Sequence, residues 1–400
     1  MDFSLTQKQL DVQRAVKEFA ERELKPFAIE NDENSTFPIE AYKKLGELGV
    51  IGLPYSTEYG GTGGDYLSYV LAIEEISKVD ASMGIAVSVT TSLCAGGISN
   101  ASEELKKKYL PDILSGKKLG SFGLTEPNAG SDAGGVITVA EKKGDNYILS
   151  GAKCFITNAP LSGTFIVFAL TDRTKGPKGL SAFIVEKDFP GISIGKIEDK
   201  CGIKSAQVSE VLFNDCVVPA SNLVGKEGDG FKIAMKTLDG GRIGVAAQGL
   251  GIAEGAFEIA KEYMKERKQF GKPLFKQQYL AFKMAELAVE IEQAKYMLYK
   301  AAMDKQEGKP YSVSAAKAKL VCTDAAMHVT TEAIQMLGGN GYMREYQLER
   351  MMRDAKITQI YEGTNEIQKR VWGWAGNGAA RHCWRPKTPR RASVPCMALS

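Results

Sequence analysis

Apolar residues recur at helical spacing over the first part of the chain. Leu10, Ala15, Val16, Phe19, Ala20 and Leu24 form one stripe behind Thr6-x-x-Gln9, a capping-box pattern. The run Tyr59-Gly60-Gly61-Thr62-Gly63-Gly64 interrupts it. Asp65 then reads as the cap of a helix carrying Leu67, Val70, Leu71, Ile73 and Ile76. A further helix is predicted near residues 102–109, with Pro111 and Gly116 closing the region. From about residue 121 the period shortens. Residues 146–150, 164–170, 181–186, 192–194 and 210–213 are β-branched or aromatic runs punctuated by Gly, Pro, Asp and Asn, which predicts strands without intervening helices. From about residue 230 the helical period returns. Leu280, Met284, Leu287, Ile291, Ala294 and Leu298 mark one long helix over 280–306, stopped by Gly308-Lys309-Pro310. A second over 314–337 ends at Gly338-Gly339-Asn340-Gly341.

The expected fold is therefore α+β. An N-terminal helical domain (1–120) precedes a middle antiparallel β domain (121–228) and a C-terminal four-helix bundle (229–372). A chain of 400 residues suits two or three cores of this kind. Residues 373–400 break the pattern. Pro386, Pro389 and Pro395 forbid a continuous helix, and all three tryptophans, Trp372, Trp374 and Trp384, crowd at this end. A disordered extension is the favoured reading, with a basic interaction tail as the other.

Charge narrows the function. Arg381, Arg385, Lys387, Arg390 and Arg391 belong to the tail, which has no acid. Without these five cations the formal balance of +3 becomes −2. A nearly neutral body argues against nucleic acid as partner. The N-terminus has neither a basic region nor an apolar core of a leader, and no run of 18 apolar residues occurs, so a cytoplasmic protein without a membrane span is expected. The seven cysteines include no C-x-x-C pair and are read as reduced thiols. With only two histidines, His328 and His382, a Ser-His-Asp triad and a multi-histidine metal site are poorly supported. No metal is expected, and proton transfer falls to a carboxylate, Lys or Tyr. Gly249-x-Gly251-x-x-x-Gly255 misses the dinucleotide fingerprint and lies inside a helical stretch, where helix packing accounts for it.

Four segments carry candidate chemistry. In Ser121-Phe-Gly-Leu-Thr-Glu-Pro-Asn-Ala-Gly-Ser-Asp132 a tight turn can aim backbone N–H groups and the Thr125 and Ser131 hydroxyls at one polar ligand, or be an ordinary loop. In Gly151-Ala-Lys-Cys-Phe-Ile-Thr-Asn-Ala159, Phe155 and Thr157 alternate and can share one strand face. That suits a flat heteroaromatic cofactor, or a core Phe with a surface Thr. Asp239 and Arg242 in Leu238-Asp-Gly-Gly-Arg-Ile243 either pair with each other or present Arg242 to an anionic ligand. Glu362 has uncharged neighbours, with Tyr361 before it and Gly363 after. It is either a partly desolvated base or a carboxylate at a helix N-terminus.

With LTEPNAGSD at 124–132, TLDGGRIGVAAQGLGIAEGA at 237–256 and RDAKITQIYEGTNEIQ at 353–368, the chain resembles the acyl-CoA dehydrogenase family. The bacterial short-chain, butyryl-CoA branch is the nearest in kind, and the likeness runs from residue 1 to about residue 370. It implies FAD as cofactor and oxidation of a short-chain acyl-CoA such as butyryl-CoA to the 2-enoyl-CoA, or the reverse. It also implies electron-transfer flavoprotein as redox partner and a homotetramer. Glu362 would be the catalytic base. Phe122, Leu124, Thr125, Gly130, Ser131, Phe155, Ile156 and Thr157 would hold the flavin, and Thr364, Asn365 and Glu366 would complete that contact. Arg267, Phe270, Gln278, Gln335, Met336, Leu337, Gly338 and Gly339 would bind the FAD of a neighbouring subunit. Ser131, Asp239, Gly240, Gly241, Arg242, Tyr361 and Gly363 would meet the substrate. Relatives with the base on the other helix carry Glu at the position of Gly241, which is empty here. An acyl-CoA oxidase, a glutaryl-CoA-type dehydrogenase, and a non-catalytic paralogue binding nucleic acid or lipid through its tail are the competing readings.

Overall fold

The computed structural model describes residues 4–375; the predicted tail beyond them lies outside the described residues. Seven helices open the chain: α1 (Gln7–Phe19), α2 (Ala28–Asn34), α3 (Ile39–Glu47), α4 (Tyr66–Ser77), α5 (Ala81–Ser88), the single turn α6 (Gly96–Ile98) and α7 (Glu103–Leu114). The expected caps form. Thr6 Oγ1 accepts from the Gln9 N–H at 3.3 Å while Gln9 Oε1 accepts from the Thr6 N–H at 2.9 Å, and Asp65 Oδ1 accepts from the Ser68 N–H at 2.7 Å. Such caps are worth about 1 kcal/mol each. Two expectations need correction. Pro111 does not close α7, which runs on to Leu114. The carbonyl that Pro111 leaves unbonded is that of Lys107, an exposed residue that water can serve. Leu10 leaves the predicted stripe and is 43% exposed.

Between α5 and α6 the residues Val89–Ala95 form a π-helical stretch. Ala81–Ile98 is long and apolar enough to cross a membrane, but 94% of it is buried inside the fold, as a core helix is.

Eight strands follow: β1 (Leu119–Gly123), β2 (Val139–Lys143), β3 (Asn146–Thr157), β4 (Ser162–Leu170), β5 (Leu180–Glu186), β6 (Ile192–Ile197), β7 (Val208–Pro219) and β8 (Leu223–Val224). Each predicted run lies in one of them; β1, β2 and β8 were not foreseen. Strands β6, β7, β3 and β2 pair antiparallel, as do β4, β5 and β8. The two halves meet at the single pair Val139–Leu170. The sheet is not wholly antiparallel, because β1 pairs with β4 in parallel. Alternation explains how the sheet joins the rest. Phe165, Val167, Phe183 and Val185 point into the core between the halves. Ile166, Phe168, Ala182 and Ile184 point the other way, against Leu105, Tyr109 and Ile113 of α7.

The described residues end with α8 (Gly230–Glu266), α9 (Gln278–Gln306), α10 (Ser312–Leu337), α11 (Leu348–Thr358) and α12 (Asn365–Ala375), with α10 packed against the other four. Val70 and Ile73 of α4, Ala246 and Leu250 of α8, and Cys322 and Val329 of α10 belong to one core, so the first and last helical regions are fused. The glycines of α8 permit this. A Cβ on Gly251 would overlap the Glu74 carbonyl, and one on Gly249 would stand 3.1 Å from the Cys322 carbonyl. The row that resembles a nucleotide motif is a packing seam.

Candidate active site

The turn between α11 and α12 carries Glu362. Its backbone φ is 52°, and Gly363 follows at 90°. A left-handed residue other than glycine costs about 1–3 kcal/mol and persists where surroundings enforce it. Four groups do so here. Lys319 Nζ donates to the Gly363 carbonyl at 2.9 Å, and Gln368 Nε2 donates to the same carbonyl at 2.7 Å. The Asn365 N–H reaches the Gln359 carbonyl at 3.0 Å, and the Tyr361 hydroxyl donates to Gln248 Oε1 of α8.

These clamps drive the Glu362 carboxylate inward against the N-terminal part of α8. A Cβ on Gly241 would overlap Glu362 Oε2 and stand 2.6 Å from Leu93 Cδ2 of the π-helical stretch. Positions 241 and 362 thus meet at one point in space. Both Glu362 oxygens are shut off from solvent and have no hydrogen-bond partner among the described residues. Burial pushes the carboxyl up to about 7, against the opposing pull of Lys319 and then Arg242. The alternative of a solvated helix-terminal carboxylate is therefore not what the fold builds. The Glu362 N–H likewise has no acceptor among the described residues.

Arg242 lies beside it. Arg242 Nη1 donates to Asp239 Oδ1 at 2.5 Å, and Ser312 Oγ donates to the same oxygen at 3.0 Å. The ion pair of the first reading exists, and the buried Arg242 Nε has no partner among the described residues. Burial holds Asp239 above the ordinary carboxylate range. Gly240 gives its carbonyl to the Tyr66 hydroxyl at 3.2 Å.

The 122–131 loop is braced from beneath. Lys153, wholly buried, donates to Glu126 Oε1 at 2.6 Å and to the Leu124 carbonyl at 3.2 Å. Glu126 also accepts from the N–H groups of Ile137 and Thr138. Burial alone would raise Glu126, but the Lys153 charge and these donors hold it below the usual range, while burial draws Lys153 down to about 8. With Glu126 and Lys153 spent on the loop, the hydroxyls of Thr125 and Ser131 have no partner among the described residues. Gly130 and Ser131 are exposed, Leu124 is buried, and Phe122 packs on Phe168 at 5.0 Å between ring centroids.

Simple alternation fails at Phe155. The β3–β7 register shifts between Lys153 and Ile156, and Phe155 takes a φ of 57°. This bulge turns the ring outward, 71% exposed. Thr157 is half-buried, and the Ile156 side chain faces the sheet core, so only its main chain is open to a ligand. Next to them Asn158 Nδ2 donates to the carbonyls of Ala86 and Gly120 and to Thr90 Oγ1. Thr90 and Leu93 belong to the same π-helical stretch, which therefore meets the end of β3 on one side and Glu362 on the other. Exposed aromatic and hydroxyl groups near a buried unpaired carboxylate fit a flat, polar-edged group such as a flavin. No group of three or more His, Cys, Asp or Glu that could hold a metal occurs among the described residues.

The structure does not bring every candidate together. Arg267, at the end of α8, lies 26 residues from Gly241, which is about 39 Å along a helix. Phe270 (94% exposed), Gln278, Gln335, Gly338 and Gly339 are exposed; Met336 and Leu337 are core residues. Asn340 Nδ2 donates to the Tyr263 hydroxyl at 2.7 Å and ties the end of α10 to that of α8. These residues form a second cluster. Thr364 is half-buried, Asn365 buried and Glu366 exposed beside Glu362. Lys319, Gln368, Leu93, Glu126 and Lys153 were not anticipated. The signal for Lys319 was a lysine amid Ala315, Cys322 and Ala326 on one apolar helix face.

Comparisons with known proteins agree with this arrangement. Residues 6–117, 121–216 and 228–374 match, in turn, the N-terminal, middle and C-terminal domains of acyl-CoA dehydrogenase. The short-chain specific acyl-CoA dehydrogenase of Clostridium acetobutylicum is 58% identical over 372 residues, covering 93% of this chain and 98% of the relative. The butyryl-CoA dehydrogenase structure from Megasphaera elsdenii superposes with a TM-score of 0.92 at 53% identity, covering 94% of this chain and 99% of the other. A chain in the structure described as "Electron transferring flavoprotein of Acidaminococcus fermentans: Towards a mechanism of flavin-based electron bifurcation" gives 0.93 at 53% identity, over 94% and 99%. Members of this family are FAD-dependent. The three domains in this order, with a buried and unpaired carboxylate where α8, α10 and the π-helical stretch converge, make this chain a member of the acyl-CoA dehydrogenase family.

Proposed function

We propose that the chain catalyses FAD-dependent α,β-dehydrogenation of a short-chain acyl-CoA, butyryl-CoA to crotonyl-CoA or the reverse, with Glu362 as base. One observation carries this reading: a carboxylate is buried with neither oxygen hydrogen-bonded among the described residues. A group with no task would not be left at that cost.

Glu362, held up to about 7, takes the α-proton of the thioester near neutral pH. Its own free N–H donates to the thioester carbonyl and stabilises the developing enolate. Asp239, Gly240, Gly241, Arg242, Tyr361, Gly363 and Ser131 line the substrate path, and the Asp239–Arg242 pair orients its polar portion. Bound FAD supplies the acceptor for the hydride that leaves Cβ. Phe122, Leu124, Thr125, Gly130, Phe155, the Ile156 main chain and Thr157 hold it, with Ser131, Thr364, Asn365 and Glu366.

Arg267, Phe270, Gln278, Gln335, Gly338 and Gly339 serve the cofactor of a second subunit, with Met336 and Leu337 supporting them. The support for an assembly is the outer face of α9, where Tyr279, Phe282 and Val289 are exposed at helical spacing. A homotetramer is proposed, with electron-transfer flavoprotein as redox partner and the cytoplasm as setting. The divisions 1–120, 121–228 and 229–372 are proposed as its domains. The chemistry calls for no metal, nucleic acid or membrane.

Butyryl-CoA added anaerobically to the purified protein should bleach a flavin band near ~450 nm, as expected of a flavin taking a hydride. An unchanged spectrum would remove the reading. Oxygen uptake without an acceptor protein, or turnover of a dicarboxylyl-CoA, would favour the oxidase or glutaryl-CoA-type alternative.

A further inference from the structure

Lys319 stands out among the charged groups that the reaction scheme leaves unused. It is wholly buried on α10, and its ammonium group makes two hydrogen bonds, to the Gly363 carbonyl at 2.9 Å and to Asn365 Oδ1 at 2.8 Å. Asn365 is itself fixed, its Nδ2 donating to Asp324 Oδ1 at 2.8 Å and Thr323 Oγ1 at 3.0 Å. Neither bond goes to the Glu362 carboxylate, although Lys319 is the first opposing charge acting on it.

We propose that Lys319 is a positioning residue for the base, clamping the left-handed Glu362–Gly363 turn while facing the carboxylate with a buried positive charge that does not occupy its oxygens. This rests on the reading of Glu362 as the base. The division of labour has a chemical reason. A direct ion pair would engage an oxygen that must accept the α-proton and would draw the carboxyl down by a further 1–3 units or so. Bonding the cation to the neighbouring carbonyl keeps the field and frees the lone pairs. The groups facing Lys319 are Glu362, Arg242, Asp324 and Glu366; those facing Glu362 are Lys319 and Arg242, with Tyr361 and, from α4, Tyr66 and Tyr69 close enough to sense its charge. Burial lowers Lys319 to about 7 and raises Glu362 to about 7, and the charge of each opposes that shift in the other.

The test is Lys319→Met, assayed with butyryl-CoA and an artificial electron acceptor. The expected result is a fall in kcat of about 10²-fold from a misplaced base, with KM within about threefold and the flavin retained. The acidic limb of kcat/KM should also move up by about one pH unit as the cation is lost. A lysine that only supports the fold would lower the thermal midpoint without moving that limb. A kcat within twofold of wild type with an unmoved limb overturns the proposal. Should Lys319→Met lose its flavin, Lys319→Arg decides. A limb left at the wild-type pH with reduced kcat supports the role, and a limb shifted upward overturns it. Glu362→Gln run alongside separates the two readings: full activity there removes the base itself, whatever Lys319 does.

Discussion

Around Glu362, one chain closes its own site: α8, α10, the π-helical stretch and the α11–α12 turn bury a carboxyl group and leave it without a partner among the described residues. At the far end of the same helices, Arg267, Phe270, Gln278 and Gly338 lie open, and Phe270 holds a left-handed φ of 52° with its ring in solvent. The first region is finished by intramolecular packing. The second, with Arg267, Phe270, Gln278 and Gly338, is exposed in the single chain. Chemistry that needs desolvation can be assembled within one chain, whereas the cofactor contact proposed for the second cluster would need another surface to close it.

The largest expected effect falls on the closed end. Glu362→Gln should retain flavin and ligand but lose about 10³-fold in kcat, because an amide cannot accept the α-proton; stopped-flow reduction of the flavin measures this. Next, Gly241→Ala should cost about 10²-fold in kcat, because its methyl group displaces the carboxylate. Gly244→Ala on the same helix meets Ser88 rather than Glu362 and controls for general disturbance of α8.

A stability measurement sharpens the contrast further. Glu362 has a folded value of about 7 against an ordinary 4.5, so the native state holds a proton that the unfolded chain has released. Its contribution is fully present below about pH 4.5 and is lost as pH rises through 7. Glu362→Gln should therefore stabilise the flavin-free protein at pH 8 by about 2–3 kcal/mol relative to wild type, with the gain shrinking toward pH 5. Urea unfolding at the two pH values reads the difference, and a gain that is equal at both would contradict the desolvated carboxylate. The smallest expected effect belongs to the open end. Phe282→Glu on the outer face of α9 should weaken subunit association and raise the flavin Kd about tenfold, leaving the pH limb set by Glu362 where it was. Sedimentation with flavin titration checks both.

Several features were legible because they depend on near neighbours. Thr6 and Asp65 announced their caps, Gly308 and Gly338 their helix ends, and the spacing of β-branched runs the middle sheet. The scarcity of histidine directed proton transfer to a carboxylate, Lys or Tyr; the uncharged run around Glu362 left a desolvated base and a helix-terminal carboxylate both open, and the resemblance to the acyl-CoA dehydrogenases pointed to the base. Other features stayed hidden because they depend on partners far along the chain. Nothing local to Gly241 says that it abuts residue 362. Lys319 reads as a polar interruption of an apolar face until the Gly363 carbonyl is placed beside it. The outward turn of Phe155 comes from a register shift against β7, which alternation along β3 alone cannot reveal.

By itself the sequence determined the succession of helices, sheet and helices and the motif-bearing loops. These follow from periodicity, turn chemistry and side-chain type, which act over a few residues. The tertiary structure alone decided that the Glu362 carboxylate is dry and unpaired, that a buried lysine steadies its turn through a carbonyl, and that the second cluster lies a helix length away. Desolvation and long-range hydrogen bonding depend on what packs across the gap, and packing is settled only when distant segments meet.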